Sequence, residues 1–202
     1  MFWNSLVLHK VNNQKQKQIN QSGFGLVELM VSISIMVIVA SIIMTKQSAF
    51  NGSVLLRSQA YEVAFDLREV QLSAVSAAGN TGVFRSVLGV HFDTANAGHY
   101  AIFKDADADG FYDSGEEYGI QGALDSRFEV RSLRAVGAAI TGNDVSVVFV
   151  RPNFDARFFD SSGTEINASS IEIDIARIGF TGTGPDVLRT VEVTSTGQIA
   201  VK

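Results

Sequence analysis

The chain has no cysteine, and that absence removes disulfide staples, thiolate metal ligands and cysteine nucleophiles together. Histidine is scarce: His9, His91 and His99 are the only three in 202 residues. No nucleophile–base arrangement emerges from them, and His91 and His99 read as ordinary strand residues rather than ligands. Residues 1–23 contain no acid and carry Lys10, Lys15 and Lys17. Over the whole chain the balance reverses to a net charge of -5, so there is no global attraction for nucleic acid or anionic lipid. Residues 24–45 hold a single charged side chain, Glu28. No A-x-A-like cleavage site follows that apolar run, which is also too long for an ordinary secretory signal.

What is present begins with that run, FGLVELMVSISIMVIVASIIMT. A helix of this length spans about 30 Å, enough to cross a bilayer core. The basic residues before it favour a cytoplasmic N-terminus. A plain signal-anchor helix accounts for everything except Glu28. A carboxylate inside an apolar helix is costly without a partner and marks a functional position. Cleavage after Gly23 would supply that partner, because it leaves a free amine on Phe24, on the same chain or on a neighbour's. An acid and an amine brought together in low dielectric offset each other's desolvation and fix the axial register of packed helices.

Gly23-Phe24-Gly25-Leu26-Val27-Glu28-Leu29, set before a long apolar helix, resembles the prepilin peptidase motif of type IV pilins and type II secretion pseudopilins. The resemblance implies that a membrane-embedded prepilin peptidase cuts between Gly23 and Phe24 and methylates the new Phe24 amine. It also implies that Glu28 guides docking into a growing filament. Cleavage removes three lysines and no acid, taking the side-chain charge from -5 to -8.

Beyond Lys46 the sequence turns polar but keeps helical spacing. Val54, Tyr61, Phe65, Leu72 and Val75 fall on one helical face, which predicts an amphipathic continuation with that stripe buried. Gly79-Asn80 is a stop signal. One helix is therefore predicted from about Phe24 to Ala78, with Gly52 either a tolerated glycine or a bend. From Thr81 the pattern becomes β-like: Val83–Phe92, His99–Lys104, Phe128–Ala135, Val145–Arg151, Ile171–Ile178, Val187–Thr194 and Gln198–Val201. Ile171-Glu172-Ile173-Asp174-Ile175 alternates, which predicts one buried and one wet face. The glycine-rich stretch 179–184 reads as a loop between two strands. Asn51-Gly-Ser and Asn167-Ala-Ser match a glycosylation pattern by chance.

Val147-Val148-Phe149-Val150-Arg151-Pro152, Ser161-Ser162-Gly163 and Val191-Glu192-Val193-Thr194-Ser195-Thr196-Gly197-Gln198-Ile199 resemble the GspH/FimT group of minor pseudopilins. Taken together, the predicted fold class is α+β in the pilin manner: a long N-terminal helix packed on a small antiparallel sheet domain. The expected segments are a leader 1–23, a transmembrane and assembly helix 24–45, an amphipathic continuation 46–79 and a β-rich domain 80–202. The resemblance implies a structural subunit rather than an enzyme. Its partners would be prepilin peptidase, other pilin or pseudopilin subunits and an inner-membrane assembly platform. It would sit in the bacterial inner membrane with the globular domain outside the cytoplasm, initiating or capping a pilus or pseudopilus. The alternative is a DNA- or surface-binding tip subunit using Arg177, Arg189 and Lys202; the acidic balance argues against DNA.

One loop carries a separate signal. In residues 105–116, DADADGFYDSGE, acids occupy loop positions 1, 3, 5, 9 and 12 and Gly110 occupies position 6. That is the spacing of an EF-hand-type Ca2+ loop. Asp105, Asp107, Asp109, Asp113 and a bidentate Glu116, with the backbone carbonyl of Phe111, are the candidate ligands. No other cofactor is expected. The flanks read as strands rather than helices, so a charged hairpin tip without an ion is the competing reading.

Overall fold

The computed structural model describes Gly23 and residues 25–76, 87–150 and 153–202. The leader residues 1–22, Phe24, the Gly79-Asn80 stop, positions 83–86 of the first strand run and Arg151-Pro152 lie outside the described residues. Two compact units are formed, Met1–Ile43 and Met44–Lys202.

Helix α1 runs from Leu26 to Val75 and is unbroken at Gly52. In the first unit every large apolar side chain of α1 is exposed, from Leu26 at 75% to Val39 at 49%. Leu26–Met44 is long and apolar enough to cross a membrane, and none of it is buried within the molecule. Its polar side chains are handled locally. Ser32, Ser34 and Ser41 donate to the carbonyls of Glu28, Met30 and Val37 at 2.7, 2.8 and 2.8 Å. Such back-bonding lets a hydroxyl sit in an apolar medium without a lost hydrogen bond.

The second unit joins the remainder of α1 to two antiparallel sheets. One holds β3 (Gly122–Ala123), β2 (His99–Asp105), β1 (Val87–Asp93), β5 (Asp144–Phe149) and β6 (Ala156–Asp160), in that order. The other holds β4 (Phe128–Val136), β7 (Ser170–Arg177), β8 (Leu188–Thr194) and β9 (Ile199–Val201). This is the predicted α+β plan, with two sheets where one small sheet was expected. The core draws Leu56, Val63 and Leu67 from α1, Phe92 and Phe149 from the first sheet and Ile173 and Val191 from the second.

The buried face of α1 is not the predicted one. Val54, Tyr61, Phe65 and Leu72 are 50%, 46%, 63% and 62% exposed, and Val75 is half-buried. The buried face is Leu56, Ala60, Val63, Ala64, Leu67, Val70, Gln71 and Ala74. Three of these are alanines, so small side chains make up part of the helix's contribution to the core. Polar contacts support that seating: Gln71 donates to the carbonyls of Phe154 and Gly197, both at 2.8 Å, and Arg68 donates to that of Ile199 at 2.9 Å.

Strand β7 also departs from simple alternation. Glu172 is half-buried and Asp174 is 1% exposed rather than wet. The Asp174 carboxylate accepts from Ser132 and Thr190 hydroxyls at 2.7 Å each and pairs with Arg134. Buried charge of this kind is tolerated because every oxygen is satisfied. Strands β3 and β6 were not predicted, and the glycine-rich stretch 179–184 lies between β7 and β8.

Candidate functional site

At the start of α1, Glu28 lies in the first helical turn, where an acid is favoured by the exposed N–H groups and the helix dipole. The turn is closed by Leu29 N–H donating to Gly25 O at 3.1 Å. Glu28 is exposed, and among the described residues its carboxylate has no hydrogen-bond or ion-pair partner. Gly23 is described as non-helical, with nothing near the position a Cβ would take.

Residues 19–44 match the prokaryotic N-terminal methylation motif. The chain carries a prepilin-type N-terminus. The match is confined to the N-terminal segment, and it is the type of motif that prepilin peptidase processes. The apolar helix within the motif suits membrane anchoring, and proteins with this motif serve as structural subunits. No curated protein and no solved structure matches the chain.

The acidic loop leaves β2 at Asp105. Asp105 is 7% exposed, and its two oxygens accept from Ala108 N–H at 2.6 Å and Gly110 N–H at 3.0 Å. Asp109 accepts from Phe111 N–H at 2.7 Å. The turn forces Ala108 to φ 69° and Gly110 to φ 84°. At Gly110 the Phe159 ring occupies the space a Cβ would need, so glycine is required there twice over. The result is that one carboxylate oxygen from each of Asp105, Asp107 and Asp109 falls within 4.8 Å of the others. Burial, and the negative charges of Glu116 and Asp109, hold the Asp105 carboxyl above its ordinary range against the pull of its two N–H donors.

Asp113 and Glu116 stand apart from that group. Glu116 accepts from Ala106 N–H at 2.7 Å and from Asp113 N–H at 3.0 Å, so its carboxylate ties the base of the loop together. Three of the five sequence-named carboxylates therefore converge. They present hard oxygen donors of the type Ca2+ takes, fewer than the six to eight it usually collects. Phe111 and Tyr112 anchor the far side of the loop: both rings lie 5.1 Å from the imidazole of His91. Tyr112 donates to Glu117 at 2.6 Å, which pushes its hydroxyl up to about 12.

The histidines follow the sequence reading as strand residues. His91 lies buried in β1, with Nδ1 3.0 Å from Ser146 Oγ of β5, and His99 opens β2 exposed. Of the basic residues named from the sequence, Arg177 ends β7, Arg189 lies in β8 and Lys202 follows β9. Lys202 is ion-paired with Glu172 and Glu192 at 3.2 and 3.0 Å. The Arg177 guanidinium lies 4.0 Å over the Phe180 ring and against Gly52. Sequence reasoning missed the outward apolar face of α1, because it assigned those residues to the core.

Proposed function

We propose that this chain is a minor pilin or pseudopilin, a structural subunit that packs its N-terminal helix into a type IV pilus or type II secretion pseudopilus and helps initiate or cap it. One observation carries the reading: a prepilin methylation motif at residues 19–44 coincides with an apolar helix, Leu26–Met44, that has no burial inside its own molecule. A surface that apolar needs lipid or other helices around it. The sheet strands that resemble the GspH/FimT group support the minor-subunit part. The basic leader supports an orientation with the N-terminus cytoplasmic and the sheet domain outside, held by an inner-membrane assembly platform before polymerisation.

Glu28 is the assembly residue in this reading, pairing with the Phe24 amine once cleavage has exposed it. Glu28→Ala leaves membrane insertion and cleavage intact and lowers incorporation into the filament. Full-level incorporation of the Glu28→Ala chain would refute the charge pair. At the acidic loop, Asp105, Asp107 and Asp109 would hold Ca2+ and stiffen the β2–β3 connection outside the cell. The support is the convergence of the three carboxylates and the strain on Asp105 ionisation, which a cation would relieve.

A further inference from the structure

A groove of about 720 Å³ lies within the second unit, between the turns of α1 that start at Met44, the beginning of β4 and the end of β7. Its lining holds two cations, Arg127 and Arg177, and no acid. In a chain of net charge -5 that is a local reversal of sign. Beside the cations the groove is apolar, and Ile178 and Phe180 on its rim are 50% and 48% exposed.

The two arginines differ in what they already hold. Arg127 is paired with Asp125 at 2.7 Å. Arg177 is half-buried, and among the described residues its guanidinium has no ion pair and no hydrogen-bond partner. It is nevertheless held in one place. On one side it lies 4.0 Å over the Phe180 ring. On the other it fills the space a Cβ would take at Gly52 of α1, with Cζ 2.5 Å from that position. Glycine is unfavourable in a helix interior, and here it makes room for the cation. The turn that carries Phe180 is fixed as well, because Arg131 donates to the carbonyls of Arg177 and Phe180, both at 2.8 Å. A positioned guanidinium with its forked N–H donors unused matches the oxygens of a phosphate group.

Chain continuity points to the source of that phosphate. Met44 is the last residue of the span Leu26–Met44, and it also lines the groove. The groove therefore begins where the chain leaves the bilayer core, at the level of the lipid headgroups. Exposed Ile178 and Phe180 are the type of side chain that settles at the boundary between headgroups and acyl chains. We propose that this groove takes the headgroup of an anionic glycerophospholipid, with Arg177 on its phosphate and Ile178 and Phe180 against the top of its acyl chains. The inference rests on the reading of Leu26–Met44 as a membrane span and goes beyond it, since it needs no second subunit.

The absence of native cysteine allows one label at a time. The full chain bearing I178C, labelled with an environment-sensitive fluorophore, is reconstituted in phosphatidylcholine vesicles. These contain either spin-labelled phosphatidylglycerol or spin-labelled phosphatidylcholine, with the nitroxide high on the acyl chain. Both lipids are expected to quench the label, the phosphatidylglycerol about fivefold more effectively per mole, as suits one arginine at an anionic headgroup. R177Q is expected to bring the two lipids to parity with Tm unchanged. R177K is expected to leave an intermediate preference, because it keeps the charge and loses the fork. Equal quenching by both lipids with Arg177 in place, or a preference that survives R177Q, would overturn the proposal. A preference abolished by millimolar inorganic phosphate at constant ionic strength would also overturn it, by making the groove a small-anion site. A label at I35C separates this inference from the membrane reading. Quenching at position 35 with none at 178 would overturn the groove alone, whereas quenching at neither would overturn the membrane span and this inference with it.

Discussion

Leu67→Ala and Phe65→Ala are two residues apart on α1 and are expected to behave oppositely. Leu67 is fully buried in the joint core, at 0% exposed. Removing its side chain leaves a cavity beside Ala60 and Ala64, which cannot expand to fill it. Leucine-to-alanine losses in such settings run to about 2–5 kcal/mol, and a value of about 3 kcal/mol suits this position. For a unit of this size, 1 kcal/mol corresponds to about 2–4 °C in Tm, so the expected drop is about 6–12 °C. Phe65 is 63% exposed, and its truncation is expected to stay within about 0.5 kcal/mol. The assay is thermal unfolding of the detergent-solubilised full chain, followed by the near-ultraviolet signal of the sheet domain. A Phe65→Ala loss as large as that of Leu67→Ala would refute the assignment of the two helix faces.

The acidic loop makes a second prediction: millimolar Ca2+ is expected to raise Tm, and Asp107→Asn with Asp109→Asn to abolish the rise, while a rise that survives both substitutions would place the ion elsewhere. A third concerns pH. Burial lowers the pKa of His91 below its ordinary 6.5, despite the opposing charges of Asp144 and Asp93. The folded state therefore prefers the neutral ring, and the stability this contributes is present above pH 6.5 and lost as pH falls through the depressed value. His91→Gln is expected to flatten the stability profile just below pH 6.5, and an unchanged slope in urea titrations would assign the loss to other groups. Asp125 is held at about 2, mainly by its hydrogen bonds from Arg127. Its contribution is present above about 3.8 and lost as pH falls towards 2, so Arg127→Gln is expected to shrink the acid limb only in that window, and an unchanged limb there would exclude the pair as its source.

Much of this was legible in the sequence because it is local. A glycine, an aromatic, an acid and an apolar run lie within one short segment, so Gly23, Phe24 and Glu28 could be named without a fold. Alternation in Val191-Glu192-Val193 likewise reports a strand with one outer face. What could not be read depends on partners distant in sequence. The helix face was misassigned because large apolar residues point outward while alanines pack inward, a choice made by the sheets. Strand β6 gave little periodicity, since Arg157 is its only exposed position among five residues. Asp174 looked solvent-facing until Arg134, Ser132 and Thr190 closed over it. The spacing of the acidic loop named Asp105, Asp107 and Asp109, whose carboxylates converge, but it carried no sign that Glu116 would turn to the N–H groups of Ala106 and Asp113.

The most direct test of the account is the mass of the mature N-terminus, measured from cells with and without prepilin peptidase. A chain beginning at methylated Phe24, replaced by the uncut form when the peptidase is missing, is the predicted result. A chain still beginning at Met1 in normal cells would contradict it and leave Glu28 without its amine.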